Sequence, residues 1–530
     1  MVSANIVKEQ LAIEEIAKYL VEGRIRNKEE LQIFKKKIAK KYKLARILSD
    51  YEILKAIPEN RRQEISQILK KKPVRSISGI VVVAVMTRGY CPGKCIYCPN
   101  YDAPKSYTGK EPAALRARAM NYDPYLQVKN RLEQLRNSGH VVDKVELIIM
   151  GGTFLANCLC YQEWFVKRCL DAITGRSSLT IEEAQKYAEK SEIRVVGITF
   201  ETRPDWCKES HVDRMLSYGA TRVELGVQTL NDRILKFVRR GHSVKDTIEA
   251  TRILKDAGLK VNYHMMPGLF ASFDEDIEMF KELFENPDFR PDMLKIYPTL
   301  VLEHSGLYEL WKEGKFTPLS DEEAVELIVE VKKILPKWVR VQRIQRDIPA
   351  NLIVAGVRKS NLNQLVEMKL RELGIRCKCI RCREVGHRYL RENILPNPEN
   401  VELVREDYEA SEGLEIFLSF EDIKNSILIG FLRLRKPSCY AHRREVDDKT
   451  MLIRELRVYG PAVALHESAK KHEWQHRGYG RALLRKAEEI ATEEFDAKKI
   501  LITSGIGVRE YYARLGYRRI GPYMGKIFEE

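Results

Sequence analysis

Between about residues 79 and 350 the chain alternates short apolar runs with longer stretches in which apolar positions recur every three or four residues. The apolar runs are GIVVVAVMT (79–87), KVELIIMGGT (144–153), RVVGITFETRP (194–204), TRVELGVQT (221–229), KVNYHMMPG (260–268) and MLKIYPTLV (293–301). They have the length of strands, and near-continuous hydrophobicity is what strands covered on both faces show. Stretches such as VKDTIEATRILKDAG and DEDIEMFKELFEN between them have helical periodicity and end at Gly or Asn, where helices stop. Six strand–helix repeats predict a parallel α/β sheet with right-handed crossovers, closed or partly closed as a (β/α)6 barrel over 76–350.

Polar and glycine-rich residues gather where each strand ends. Three cysteines follow the first run, Gly151-Gly152-Thr153 the second, Glu201-Thr202-Arg203 the third, and Gln228 the fourth. Loops at the C-terminal ends of barrel strands form one face, where such barrels carry their sites. The pattern predicts one site shared by these loops.

Composition and charge add the flanks. Residues 1–75 read as helices and hold 19 Lys+Arg against 10 Asp+Glu, which is +9 of the chain's +16. The runs KKKIAKKYKLAR and LKKKPVR fall there. A solvated helical face is the plain alternative, but an excess this large ahead of a catalytic region points to nucleic-acid phosphates, bound with strong salt dependence. No stretch of about 18 apolar residues occurs, so no membrane span is expected. The first twenty residues lack a signal-peptide pattern, which predicts a cytoplasmic protein. Eleven cysteines in such a chain suggest metal or redox chemistry, not a disulfide framework.

MTRGYCPGKCIYCPN (86–100) places Cys91, Cys95 and Cys98 within eight residues. A structural zinc wants four ligands, whereas three thiolates can hold a cubane iron–sulfur cluster with one iron left open. A zinc completed by a distant ligand, or thiols that only pack, are the competing readings. GIRCKCIRCREVGHR (374–388) offers Cys377, Cys379, Cys382 and His387, enough to close a zinc tetrahedron in a linker spanning 351–398. Buried unliganded thiols or a second iron–sulfur cluster are the alternatives there. Cys158, Cys160, Cys169, Cys207 and Cys439 read as packing residues.

Near the C-terminus, WQHRGYGRALLRKAEEIATEEF (474–495) sets Gln475-x-x-Gly478-x-Gly480 at the start of an amphipathic helix. Glycines there allow backbone N–H groups to reach a pyrophosphate, and the helix dipole favours its charge; a plain helix cap is the other reading. TMLIRELRVYGP before it and KKILITSG after it read as strands.

These motifs carry two resemblances. The C-x3-C-x2-C spacing after a buried strand resembles the radical S-adenosylmethionine (SAM) superfamily. That likeness implies a [4Fe–4S] cluster on Cys91, Cys95 and Cys98. It also implies SAM held by the turn Gly151, Gly152 and Thr153, with Glu201 and Gln228 nearby. The C-terminal order resembles the GCN5-related N-acetyltransferase (GNAT) fold over 399–530. This implies acetyl-CoA on Glu455, Leu456, Arg457 and Val458 and on the loop Gln475, Gly478, Tyr479, Gly480 and Arg481, with Tyr512 near the CoA sulfur unless Tyr511 and Tyr512 pack in the core. The pairing in one chain, with stretches such as SYTGKEPAALRARAMNYDPYLQ, GITFETRPDWC and RVQRIQRDIP, resembles the family of the Elongator catalytic subunit over about 80–530.

That family resemblance implies modification of the wobble uridine of tRNA, bound by its anticodon stem-loop. A deoxyadenosyl radical would activate the methyl of acetyl-CoA for addition to C5, giving carboxymethyluridine. It implies Lys144 as an acetyl-CoA contact, an electron donor for the cluster, and either a homodimer or Elongator-like partners. A rival reading is a protein-lysine acetyltransferase with a structural cluster, Glu455 as base and Tyr512 as acid. A non-catalytic tRNA-holding role is the third, and the intact cysteine and glycine motifs argue against it.

Overall fold

The computed structural model describes residues 2–44, 47–48, 50–58, 61, 65, 79–138, 140–460 and 477–528. The chain divides into two compact units, one of residues 1–81 with 129–144, the other of 82–128 with 145–530.

The first unit is helical: Val2–Val21, Lys28–Lys41 and Asp50–Ala56 pack around Ile16, Leu20, Leu31, Ile38 and Ile53. Helix Lys28–Lys41 starts where Asn27 accepts from the Glu30 N–H, with Glu29 and Glu30 in its first turn and Lys40 and Lys41 in its last, all matched to the helix dipole. The basic run is not uniformly free. Lys35 is 5% exposed and paired with Asp50 at 2.7 Å, and Lys41 pairs with Glu15. Lys36, Lys37, Lys40 and Lys43 are exposed. The run LKKKPVR, and with it the 75/76 boundary, lies outside the described residues.

The second unit holds two sheets. The first contains β1 (Ile80–Met86), β2 (Lys144–Met150), β3 (Arg194–Thr202), β4 (Arg222–Gln228), β5 (Lys260–Met265) and β6 (Met293–Ile296) side by side in chain order. After the two-residue β7 (Val301–Leu302) comes β8 (Arg340–Ile344), which adds a seventh strand parallel to β6. The six-repeat expectation is therefore short by one strand. RVQRI escapes a periodicity test because it is five residues long and three of them, two in a row, are polar. Helices return the chain between strands, several opened by reciprocal caps such as Ser243/Asp246 and Ser272/Glu275. The result is a partial barrel.

β9 (Ile353–Ala355) pairs with β7. The second sheet contains β10 (Val401–Ala410), β11 (Gly413–Asp422), β12 (Ile427–Lys436), β13 (Thr450–Val458), β14 (Lys499–Ile502), β15 (Arg518–Ile520) and β16 (Tyr523–Ile527), with β16 lying between β14 and β15. β13 and β14 run parallel but pair only from Thr450 to Ile453, so the two strands part where β13 continues to Val458 along β12. Helix Tyr479–Glu493 crosses between them and buries Leu483, Leu484, Ala487 and Ile490 on the sheet.

A buried ionic seam joins the second sheet to the N-terminal ends of the barrel strands. The β12–β13 register slips by one at Arg454, and the bulged residue turns into the seam. Arg454 bonds Asp292 at 2.6 Å and Glu415 at 2.8 Å, while Arg435 bonds Asp256 at 2.6 Å and Glu415 at 3.0 Å. Each of these groups is at most 1% exposed, so removing one partner strands a charge away from water. Among the described residues no helix is long and apolar enough to cross a membrane.

Candidate active site

At the C-terminal ends of the barrel strands lies a cavity of about 200 Å³, lined by Cys91, Cys95, Cys98, Gly152, Thr153, Glu201 and Gln228 among others. The strand ends thus bring the residues expected at that face to one cavity, except that Gly151 stands behind its wall. Gly151 and Gly152 have φ of 108° and 68°, a region that suits glycine. A Cβ on Gly151 would stand 2.9 Å from the Thr87 carbonyl oxygen, and one on Gly152 3.0 Å from that of Tyr90. The turn is clamped to the cysteine loop by the Thr153 N–H to Tyr90 carbonyl bond and by Cys91 Sγ at 3.4 Å from Thr153 Oγ1. Gln228 also has positive φ, 75°, a strained placement at a strand end.

The cysteine loop fits an iron–sulfur cluster by its donor chemistry and its surroundings. Arg240, 7% exposed, donates Nη1 to Cys95 Sγ at 3.6 Å, a cation set beside thiolates. A hydrogen bond from the Cys98 thiol, aided by Arg240, draws Cys95 down to about 5 although burial pushes it up. Gly93 crosses so near that a Cβ would lie 3.3 Å from Cys91 Sγ and 3.6 Å from Cys95 Sγ.

Sequence reasoning missed the floor of this cavity. Glu224 on β4 is fully buried, accepts from His264 Nε2 on β5 at 2.8 Å and is paired with Lys295 on β6. Lys295 also lies 3.6 Å from Glu201, whose carboxylate accepts from the Tyr107 hydroxyl at 3.2 Å. Burial alone would raise Glu224; Lys295 and His264 outweigh it and hold the carboxyl well below its ordinary value. The signal was present as single charged or imidazole residues inside the apolar runs TRVELGVQT, KVNYHMMPG and MLKIYPTLV.

The second candidate site lies on the other sheet. Where β13 leaves β14, Leu456, Arg457 and Val458 are half-buried. Gly478, with φ of 86°, opens helix Tyr479–Glu493 without a side-chain cap, and the positive end of the helix dipole there favours an anion. Arg481 and Arg485 line a cleft at that helix start. Tyr479 packs its edge on Phe420, and Gln475 lies outside the described residues.

Two placements, those of Glu455 and Tyr512, differ from the roles named from sequence. The Glu455 carboxylate is 7% exposed and accepts from Arg433 Nε at 3.0 Å inside the seam, which makes it a structural anion and not a free base. Tyr512 is 6% exposed in the apolar core between Tyr511 and Tyr517, and burial pushes its hydroxyl well up. Tyr511 is the one facing outward, its hydroxyl 3.6 Å from a Cβ placed on Gly480. Lys144 opens β2, at the strand end opposite the Gly151-Gly152 turn.

The linker reading needs correction. Cys377, Cys379 and Cys382 bring their sulfurs within 4.8 Å of one another, but His387 is not among them. Its Nε2 lies 3.0 Å from Glu384 instead, and the buried Lys332 ammonium stands beside Cys382 at 3.9 Å. The four-ligand zinc tetrahedron is therefore not formed. Of the cysteines read as packing, Cys169 and Cys207 are buried, whereas Cys158, Cys160 and Cys439 are exposed.

Fold and site together define a radical SAM enzyme joined to a GNAT acetyltransferase domain. Family models match in the same order: the ELP3 N-terminal domain over residues 9–77, the radical SAM superfamily over 85–284, the radical SAM C-terminal domain over 291–372 and the acetyltransferase (GNAT) family over 387–517. The chain is 56% identical over 524 residues to the tRNA uridine(34) acetyltransferase of Methanocaldococcus infernus, covering 97% of this chain and 98% of that one. It is 44% identical to the Elongator complex protein 3 of Homo sapiens, covering 98% and 97%. A solved structure of the archaeal M. infernus Elp3 with residues 1–46 deleted superposes with a TM-score of 0.78 at 57% identity, covering 85% of this chain and 100% of that one. The chain belongs to the Elongator protein 3 family.

Proposed function

We propose that this chain modifies the wobble uridine of tRNA, joining the acetyl carbon of acetyl-CoA to C5 so that thioester hydrolysis leaves carboxymethyluridine. The observation that carries this is the arrangement of two sites on one barrel. The thiol-lined cavity sits at the strands' C-terminal ends, and the acetyltransferase sheet is locked against their N-terminal ends. Cys91, Cys95 and Cys98 would hold a [4Fe–4S] cluster, which when bound supplies the one electron that cleaves SAM to a 5′-deoxyadenosyl radical. The Gly151-Gly152 backbone leaves room for the SAM amino group at the cavity wall. Arg240 balances the thiolate charge, and in the Glu224–His264–Lys295 floor the charged groups are paired with one another.

Acetyl-CoA would bind along Leu456 to Val458 with its pyrophosphate at the Gly478–Arg481 helix start, with Lys144 at the same end of the barrel strands. Strands of seven residues set the two ends about 20 Å apart, a length for the pantetheine arm to cover through the barrel interior. A flipped-out uridine enters from the mouth, as chemistry on a base requires. The exposed Lys36, Lys37, Lys40 and Lys43 would hold the anticodon stem-loop by its phosphates. Their replacement by Gln should weaken tRNA binding for all sequences and flatten its salt slope by roughly 0.9 for each phosphate that is no longer neutralised. Direct transfer to a lysine is less favoured, because the carboxylate that would serve as base is committed to Arg433.

The deciding experiment incubates the reconstituted enzyme anaerobically with dithionite, SAM, methyl-deuterated acetyl-CoA and tRNA, followed by mass spectrometry. Deuterium in 5′-deoxyadenosine and a carboxymethyl increment on uridine are expected. Acetyl-CoA turnover without deoxyadenosine would overturn the radical route.

A further inference from the structure

The cysteine loop has a second side. Pro92, Gly93 and Lys94 line, on the outside, a separate open cleft of about 600 Å³ formed with the end of helix Asp232–Phe237 and the segment that follows it. Gly93 lies on the walls of both this cleft and the cavity that holds Cys91 and Cys95. A Cβ on Gly93 would fall 3.3 and 3.6 Å from those two sulfurs, so Gly93, with the Arg203 side chain beside it on both walls, separates the cleft from the cysteine sulfurs.

The cleft is cationic and its cations are unspent. Lys94, Lys236 and Arg239 are exposed there, and among the described residues none has an ion-pair partner. The other charged groups on its wall are already engaged. Arg203 is held in a two-pronged pair by Asp205, and Asp232 accepts the Val244 N–H. Burial, with Arg240 and Arg203 alongside, pulls His242 down to about 2, so it adds no charge.

Arg239 is placed against its own backbone preference. The helix ends in a Schellman turn, with Arg240 N–H on the Leu235 carbonyl and Arg239 N–H on that of Lys236, and Arg239 takes the left-handed position, φ 54°, where glycine is usual. Keeping a cation at this position retains charge on the cleft. Next to it Phe237 is 54% exposed, an aromatic of the kind that anchors protein interfaces.

We propose that this cleft is the docking site of an acidic one-electron carrier protein of the ferredoxin class, which passes its electron across Gly93 to the cluster. The step rests on the function proposed above and balances simply: the carrier is oxidised by one electron, the cluster is reduced by one, and no atoms move. Electron transfer needs close approach, and one glycine is the thinnest wall a chain can offer. Complementary charge would steer the encounter and make it salt-sensitive.

The test uses reconstituted protein, photoreduced plant-type [2Fe–2S] ferredoxin as the probe, and stopped-flow bleaching of the cluster absorbance. Lys236→Glu with Arg239→Glu should slow reduction by ferredoxin at least about tenfold and flatten its salt dependence, with reduction by dithionite and tRNA affinity unchanged. Arg239→Gly, which suits the left-handed turn and so folds, should give a smaller loss in the same direction. Gallium-substituted ferredoxin, redox-inert, should lose affinity for the double variant even when the protein carries no cluster. Ferredoxin reduction at wild-type rates in both variants would overturn the proposal, as would failure of ferredoxin to reduce the wild type. A fall in tRNA affinity without a change in ferredoxin reduction would assign the surface to RNA instead. A missing cluster would show as absent absorbance before any reductant is added and would count against the proposed function, while the gallium arm still decides the docking.

Discussion

The two cysteine triads, C-x3-C-x2-C at 91–98 and C-x-C-x2-C at 377–382, have nearly the same spelling, and each folds beside a buried cation. Arg240 donates to Cys95, and Lys332 to Cys382. Their settings differ. Cys91, Cys95 and Cys98 face a cavity across from a glycine turn and a polar floor, and they do not converge on one point: among the described residues only the second triad brings three sulfurs within 4.8 Å. In the second triad Cys377 and Cys379 are buried, and hydrogen bonds from Cys377 and Cys382 hold Cys379 well below an ordinary thiol. A cluster of several irons needs thiolates that spread and a face left open, whereas three sulfurs drawn together in a core with no cavity before them stabilise a fold. Spacing alone does not separate these outcomes; what stands opposite the sulfurs does.

The comparison can be broken most decisively at its centre. Cys95→Ala should abolish reductive SAM cleavage, a loss of at least about a thousandfold measured as 5′-deoxyadenosine, with tRNA binding retained. Cys379→Ala should leave that cleavage within a few-fold of wild type and lower thermal stability; equal losses in both would erase the distinction drawn here. Lys332→Met removes the cation beside the second triad and should cost about 3 kcal/mol in denaturant unfolding, with cluster content at the first triad unchanged. Gly152→Ala should cost about 2 kcal/mol, because a Cβ must then sit at positive φ against the Tyr90 carbonyl, and should weaken SAM binding in calorimetry with the cysteines intact.

The smallest effect concerns the loop after β5. Burial pushes Asp276 up to about 7 while it accepts the Gly268 N–H at 2.6 Å, beside the loop that follows β5. A carboxyl raised in the folded state stabilises most below its unfolded value near pH 4, and that contribution is lost as pH rises through 7. Wild type should therefore lose up to about 2 kcal/mol relative to Asp276→Asn between pH 5 and 8, read from urea midpoints, since Asn keeps the bond and cannot ionise.

Much of the barrel and its mouth was legible before the structure. The strand runs are apolar because helices cover the sheet, and the residues after them collect at one face because parallel strands all end on the same side. Gly152, Thr153, Glu201 and Gln228 therefore line the cavity at the end where their positions after the strands put them, with Gly151 in the same turn. Glu224, His264 and Lys295 were not foreseen, because one polar residue within an apolar run looks the same whether it faces the barrel interior or a loop. The missing β8 and the misread His387 have similar causes: five residues give little periodicity, and a histidine five positions after Cys382 looks available until Glu384 takes it.

The chain's own pattern determined the element order, the two kinds of module and the thiol loop, since local periodicity, glycine placement and residue spacing are properties of neighbours in sequence. Tertiary structure alone decided which charges do chemistry and which hold the molecule together. Arg433, Arg435 and Arg454 stand in strand sequences that show no partner for them, yet they are buried against Asp256 and Asp292. Those partners lie some 140 to 180 residues earlier in the chain, and a charge can leave water only where folding brings its counter-charge to it.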